Sequence, residues 1–105
     1  MSTPLRVGIA GLGTVGGGVV RLLQTHRELL AARSGRAIVL QAVSARDRAR
    51  DRGLALDGVA WLDDPVALAA LPDLDVVVEL IGGAGGIARR VVEAALAAGK
   101  HVVTA

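Results

Sequence analysis

The feature that most limits what this chain can fold into is a glycine turn between an apolar run and a helical pattern. Val7-Gly8-Ile9-Ala10 runs into Gly11-Leu12-Gly13-Thr14-Val15-Gly16, and Gly17-Gly18-Val19-Val20 continues as the start of a helix. The glycines at 11, 13 and 16 have the G-x-G-x-x-G spacing, and the strand-before, helix-after context gives that spacing meaning. Gly11 permits a tight turn, Gly13 lets backbone approach a pyrophosphate, and Gly16 lets the helix pack close to the strand. The helix N-terminus then offers free N–H groups and the positive end of its dipole to phosphate. The turn therefore predicts a dinucleotide site. The plainer alternative is a glycine-rich turn that binds nothing.

The remaining elements follow from apolar periodicity. Leu5 to Ala10 reads as a strand covered on both faces. A helix is expected over 14–32, with Val15, Val19, Leu22, Leu23, Leu29 and Leu30 at helical spacing and Ser34-Gly35 as its stop. Ala37 to Val43 is a second strand, followed by a basic segment read as a short helix. Asp57 to Leu62 is a short third strand, with Trp61 covering a sheet edge or core end. Asp63-Asp64-Pro65 opens a short helix over 66–71. Leu74 to Ile81 is the clearest buried strand. It ends in Gly82-Gly83-Ala84-Gly85-Gly86. A helix over 87–98 and a last strand over 100–105 complete the pattern. Right-handed crossovers make this an α/β, Rossmann-type, doubly wound parallel sheet of five strands in the order 3-2-1-4-5.

Composition narrows the function classes. With 105 residues the chain bounds one domain, residues 1–105, and Trp61 is its one aromatic residue, so its core must be aliphatic. It has no cysteine, which excludes disulfides and thiolate metal sites. His26 and His101 lack metal-ligand spacing. Asp63 and Asp64 are explained by helix capping, so no metal is expected. The net charge of +2 and pI near 10.4 could suggest nucleic acid. However, the basic residues Arg21, Arg27, Arg33, Arg36, Arg46, Arg48, Arg50 and Arg52 are interspersed with Glu28, Asp47 and Asp51, and no aromatics are available for base stacking. Neither nucleic acid nor membrane is expected as a partner. Met1-Ser2-Thr3-Pro4 lacks a signal-peptide layout, so a cytoplasmic protein is expected.

Ligands of such sheets lie at the carboxyl ends of the strands, near the switch point between strands 1 and 4. That edge holds Gly11 to Gly16, Ser44 to Arg46, Ile81 to Gly83, and Thr104-Ala105. The tip of strand 2 reads the adenosine ribose: an acid there bonds the 2′-OH of NAD, and an arginine accommodates the 2′-phosphate of NADP. Here Arg46 comes first and Asp47 follows, so NADP is the preferred expectation, with NAD or dual use next. The alternative is that Arg46 is one more solvated arginine. Glu79, near the end of a buried strand, needs hydrogen-bonding partners and could serve a ligand or cap local N–H groups. Lys100 and His101 start strand 5, at the edge away from the ligand. No catalytic residue is therefore assigned, and the chain reads as one domain of a longer enzyme.

Three stretches together resemble homoserine dehydrogenase: Gly11 to Val20, Asp75 to Gly83, and Ala98 to Ala105. The resemblance covers nearly the whole chain and is weakest over 53–74. It implies NADPH- or NADH-dependent interconversion of aspartate 4-semialdehyde and homoserine, in amino-acid biosynthesis. It also implies that Leu12, Gly13, Thr14, Val15, Gly16 and Arg46 contact the cofactor. With Gly11, Ile81, Gly82 and Thr104 from the edge analysis, these are the predicted cofactor-binding residues. Ala84-Gly85-Gly86 stands where the family commonly has a threonine-like residue and a Glu-Pro pair. The family's active-site lysine follows an asparagine after Thr104-Ala105, and its other catalytic residues come later still. The chain is thus expected to bind nucleotide but not to turn over homoserine, and the parent is expected to be a homo-oligomer. Two rival readings are the cofactor domain of a glucose–fructose oxidoreductase type enzyme and a non-catalytic nucleotide-sensing module.

Overall fold

In the computed structural model, which describes residues 3–82 and 85–105, the chain runs β1 (Leu5–Ala10), α1 (Thr14–Thr25), α2 (Arg27–Ser34), β2 (Ile38–Ser44), β3 (Ala60–Leu62), α3 (Pro65–Ala69), β4 (Val76–Glu79), α4 (Gly86–Ala97) and β5 (His101–Thr104). The strands form one parallel sheet in the order β3-β2-β1-β4-β5, the order expected.

Strand periodicity sorts the apolar residues onto two faces. Val7 and Ile9 of β1, Val43 of β2, and Val76 and Val78 of β4 pack with Val20 and Leu23 of α1. Ala10, Ala42 and Val77 point the other way, against Leu68 and Ala69 of α3 and Val91 and Ala95 of α4. Both faces are covered, which is why these strands read as nearly unbroken apolar runs. Gly8 makes room on the second face. A Cβ there would stand 2.5 Å from Leu74 Cδ1, and the β1–β2 register shifts between Val7 and Gly8.

Three expectations need correction. The helix expected over 14–32 is two helices. His26, at φ −108° and ψ 27°, divides them. An unbroken helix of that length would extend about 28 Å at 1.5 Å per residue, whereas a six-residue strand reaches only about 20 Å. The far end has little sheet left to cover. Accordingly α2 buries no residue, and Leu29 is exposed. Secondly, no helix follows β2: residues 45–59 are irregular. Asp47 takes a positive φ of 52° there, and the Arg52 side chain claims carbonyls a helix would use. Thirdly, three strands are shorter than expected: β4 covers Val76–Glu79 rather than 74–81, β5 covers His101–Thr104 rather than 100–105, and β3 keeps only three residues. β3 loses its first three expected residues to a turn in which Gly58 has φ 78°. The ladder of β4 is extended beyond the strand by Asp75 N–H to Arg6 O and Leu80 N–H to Ala10 O.

The third helix begins as its sequence implies. Asp64 Oδ1 accepts from Val66 N–H at 2.9 Å, with Pro65 at the first helical position. Asp63 is used elsewhere: its Oδ1 accepts from Trp61 Nε1 at 3.2 Å. No group of His, Asp or Glu among the described residues could hold a metal ion. No helix among them is long and apolar enough to cross a membrane.

Candidate dinucleotide site

The glycine turn is fixed by backbone alone. As the chain leaves β1, Gly11 N–H donates to Ser44 O at 2.8 Å, and Leu80 N–H donates to Ala10 O at 2.8 Å. The turn is thereby tied to the tips of β2 and β4. Gly11 sits at φ 103°, and a Cβ on it would lie 2.7 Å from Leu80 O. Gly16 is held from the other side, where a Cβ would lie 1.8 Å from Gly11 O. Both positions exclude any side chain for internal reasons.

Gly13 differs. Its φ is −72°, open to any L-residue, and a Cβ on it would meet nothing within 4 Å. Packing does not require glycine there. The space in front of its backbone is free, as a closely approaching pyrophosphate needs. Gly13 also begins α1 without a side-chain cap, and the first turn carries no acid. The orphan N–H groups of that turn are left to an external acceptor.

A cleft of about 500 Å³ opens over this turn, within the range of small-molecule sites. Gly11, Leu12 and Gly13 form its floor. Ser44, Ala45, Arg46, Asp47, Arg50 and Arg52 line the side beyond β2, and Leu80, Ile81 and Gly82 the side beyond β4. Six predicted residues are thus brought together: Gly11, Leu12, Gly13, Arg46, Ile81 and Gly82. The other four are placed differently. Gly16 is buried beneath the turn, Thr14 and Val15 are exposed on the first turn of α1, and Thr104 stands at the tip of β5. Of the Gly82-Gly83 turn only Gly82 is described. Gly83, and Ala84 at the start of the stretch 84–86 where the sequence departs from the resembled family, lie outside the described residues.

The segment after β2 holds what sequence reasoning missed. The guanidinium of Arg52 donates to three carbonyls of its own loop: Arg46 O, Asp47 O at 2.9 Å and Arg50 O at 3.3 Å. It also lies 5.4 Å from the Trp61 ring centre, and Arg48 lies 5.9 Å from it. Arg21 donates to Arg52 O at 3.1 Å, fastening the loop to α1. The signal available in the sequence was the alternation Arg46, Arg48, Arg50, Arg52 just ahead of the single tryptophan.

Glu79 is buried at the carboxyl end of β4. One carboxylate oxygen accepts from Ile81 N–H at 2.7 Å and the other from Thr104 Oγ1 at 2.5 Å. It therefore caps local donors, one of the two roles its position allows. It ties the cleft's β4 side to the tip of β5.

A second cleft, of about 590 Å³, lies at the amino edge and includes Lys100 and His101. Two of its polar side chains are committed to nearby backbone. Asp75 accepts from Arg6 N–H at 2.8 Å, and Arg36 donates to Thr3 O at 2.9 Å and to Pro4 O. The G-x-G-x-x-G turn does not reach it, so the cleft over Gly11 to Gly13 is the candidate site.

The model of the family described as "Homoserine dehydrogenase, NAD binding domain" matches residues 11–105. The homoserine dehydrogenase of Methylobacillus glycogenes is 42% identical over 102 residues, covering 97% of this chain and 24% of that protein. That of Bacillus subtilis is 38% identical over 101 residues, covering 96% and 23%. Among solved structures, a homoserine dehydrogenase from Thiobacillus denitrificans superposes with a TM-score of 0.85 at 39% identity, covering 98% of this chain and 24% of that one. One from S. aureus superposes at 0.88 with 30% identity, covering 100% and 26%. The chain spans about a quarter of the length of the relatives it matches.

Two predictions follow from the packing. Gly16→Ala should cost about 3 kcal/mol in urea unfolding, whereas Gly13→Ala should stay within about 1 kcal/mol of the parent chain yet lose dinucleotide binding. Equal stability losses would contradict the assignment of Gly13 to the ligand. Glu79→Ala strands two donors and should lower stability by about 1–3 kcal/mol. An unchanged unfolding midpoint would show that Ile81 N–H and Thr104 O–H do not depend on it.

Proposed function

Because this chain belongs to the homoserine dehydrogenase NAD-binding domain family, we propose that its carboxyl-edge cleft is the cofactor half of a homoserine dehydrogenase. Nicotinamide dinucleotide is the ligand class of that family, and the preferred form in this reading is NADP. In the parent protein the reaction would be the reversible reduction of aspartate 4-semialdehyde to homoserine. The observation that carries the reading is Gly13: at the uncapped start of α1 and on the floor of the cleft, glycine stands where neither packing nor backbone conformation requires it, and a closely approaching pyrophosphate would use that space.

Each part of the cleft has a task in this reading. Gly13 and the first turn of α1 receive the pyrophosphate through backbone N–H groups. Thr14 and Val15 act through that backbone, and Gly16 acts indirectly by setting the height of the helix. Ile81 and Gly82 give a flat backbone edge on the nicotinamide side, held in place by Glu79. Thr104, held by the same carboxylate, stands on that side too. When bound, the dinucleotide supplies or accepts the hydride. The substrate and the groups that move its proton belong, in this proposal, to the remainder of the parent protein. A cytoplasmic setting and a homo-oligomeric parent belong to the same reading.

Arg46 supports the preference for NADP. It lines the cleft just past the end of β2, and its guanidinium has no hydrogen bond or ion pair among the described residues. A planar fork of donors suits a phosphate monoester. Asp47 lines the same wall. A carboxylate there can accept from the ribose 2′-OH of NAD, which favours dual use as the second reading.

Arg46→Ala should weaken NADP binding by about tenfold, the equivalent of one charge-assisted hydrogen bond, and change NAD binding far less. Calorimetric titration of both nucleotides checks this, and equal losses would remove Arg46 as the phosphate reader. The activity itself is tested on the full-length parent by homoserine-dependent reduction of NADP. A folded parent that binds dinucleotide yet leaves homoserine unoxidised would overturn the assignment.

A further inference from the structure

We propose that Arg52 is a positioning residue, which folds the loop after β2 into a two-arginine anion pocket and assigns Arg50 a place beside Arg46 in reading the 2′-phosphate of NADP. The inference rests on the NADP reading above and extends it to two residues that reading does not use.

Three observations carry it. Arg46, Arg50 and Arg52 all line the same wall of the cleft, but their guanidinium groups are in different states. Those of Arg46 and Arg50 have no hydrogen bond or ion pair among the described residues. That of Arg52 is spent on the carbonyls of Arg46, Asp47 and Arg50. Arg52 thus grips the backbone of the two residues whose side chains are free, on either side of the turn between them.

The conformation it grips is held from several sides. Asp47 is held at a positive φ of 52°, uncommon for a residue with a side chain. Arg50 N–H closes a turn on Asp47 O at 3.1 Å. Without a cation at their centre, three carbonyls converging on one point would repel one another. The guanidinium makes that convergence favourable, because its planar fork can serve several acceptors at once. Trp61 holds the fork at 5.4 Å from its ring centre, and Arg21 holds Arg52 O from α1 at 3.1 Å. The loop is therefore tied to both the sheet edge and the first helix before any ligand arrives. A phosphate dianion meets two arginines whose backbone is already held, so binding has only their side chains left to order.

The test is the ratio of NAD to NADP dissociation constants, measured by calorimetry on this chain and its variants. General loosening of the fold weakens both nucleotides and leaves the ratio unmoved. The ratio is expected to favour NADP in the parent chain and to fall by about tenfold in Arg50→Gln and again in Arg52→Gln, one charge-assisted contact each. The deciding comparison is made in the Arg46→Gln, Arg50→Gln double variant. There, adding Arg52→Gln is expected to leave the ratio unchanged within about twofold, because a residue acting only through two others has nothing left to act through.

A further fall in that background would mean that Arg52 reaches the phosphate itself and would overturn the positioning role. An unchanged ratio in the single Arg52→Gln variant would overturn it as well, and an unchanged ratio in Arg50→Gln would remove Arg50 from the pocket. A parent chain that binds both nucleotides equally would sink the NADP reading beneath the proposal. That outcome is visible before any variant is made.

Discussion

The structure depends on one contact that contains no side chain. Helix α1 approaches β1 so closely that a Cβ on Gly16 would stand 1.8 Å from the carbonyl oxygen of Gly11. This closeness seats Val20 and Leu23 on Val7 and Ile9. It also brings the uncapped end of the helix to the edge of the sheet, beside the tips of β2 and β4. The same turn is locked by Gly11, whose positive φ and contact with Leu80 O exclude any other residue. The packing of the core and the position of the helix end are therefore set by the same contact. The geometry that buries one half of the core also aims the helix N–H groups at the cleft.

Electrostatics act on top of that frame. The chain has a modest net charge of +2, yet arginines concentrate along the loop that follows β2. Most arginines in such a stretch would be solvated and worth little. Two of these are not idle in that way: Arg48 and Arg52 sit over Trp61, and Arg52 also satisfies carbonyls that have no place in the sheet or a helix. The one aromatic residue of the chain thus has a local task. It anchors the cations that shape the cleft wall at a sheet edge where β3 is only three residues long.

How much of this could be read in the sequence varies with the physics involved. Strand identity and order were legible, because two-sided burial writes itself as apolar runs and the glycine spacing marks the first crossover. The tight packing at Gly11 and Gly16 was legible for the same reason. The break at His26 was not, since the apolar stripe continues through Leu29 and Leu30 while the sheet beneath it ends. The basic run over 44–53 reads as helix-forming. Its fold is set instead by a side chain bonding to backbone two, five and six residues earlier, a pattern that periodicity does not carry. Arg46 was placed by its distance from the strand. Arg50 and Arg52 could be placed only once that loop was folded.

Glu79 shows how a buried charge can serve a site it does not line. Its two oxygens face two separate donors, the Ile81 amide and the Thr104 hydroxyl. A glutamine would keep one acceptor oxygen for Ile81 N–H, but its amide N–H groups would face Thr104 and turn that hydroxyl from donor to acceptor. A carboxylate has the required symmetry, at the expense of desolvation in a position only 3% exposed. In return the exits of β4 and β5, which meet in register at Glu79 and Thr104, are fixed relative to each other. Because the Thr104 proton is committed to Glu79, the remaining capacity of that hydroxyl is as an acceptor. The tip of β5 can therefore receive a hydrogen-bond donor such as an amide or a ribose hydroxyl, and it disfavours a group that can only accept.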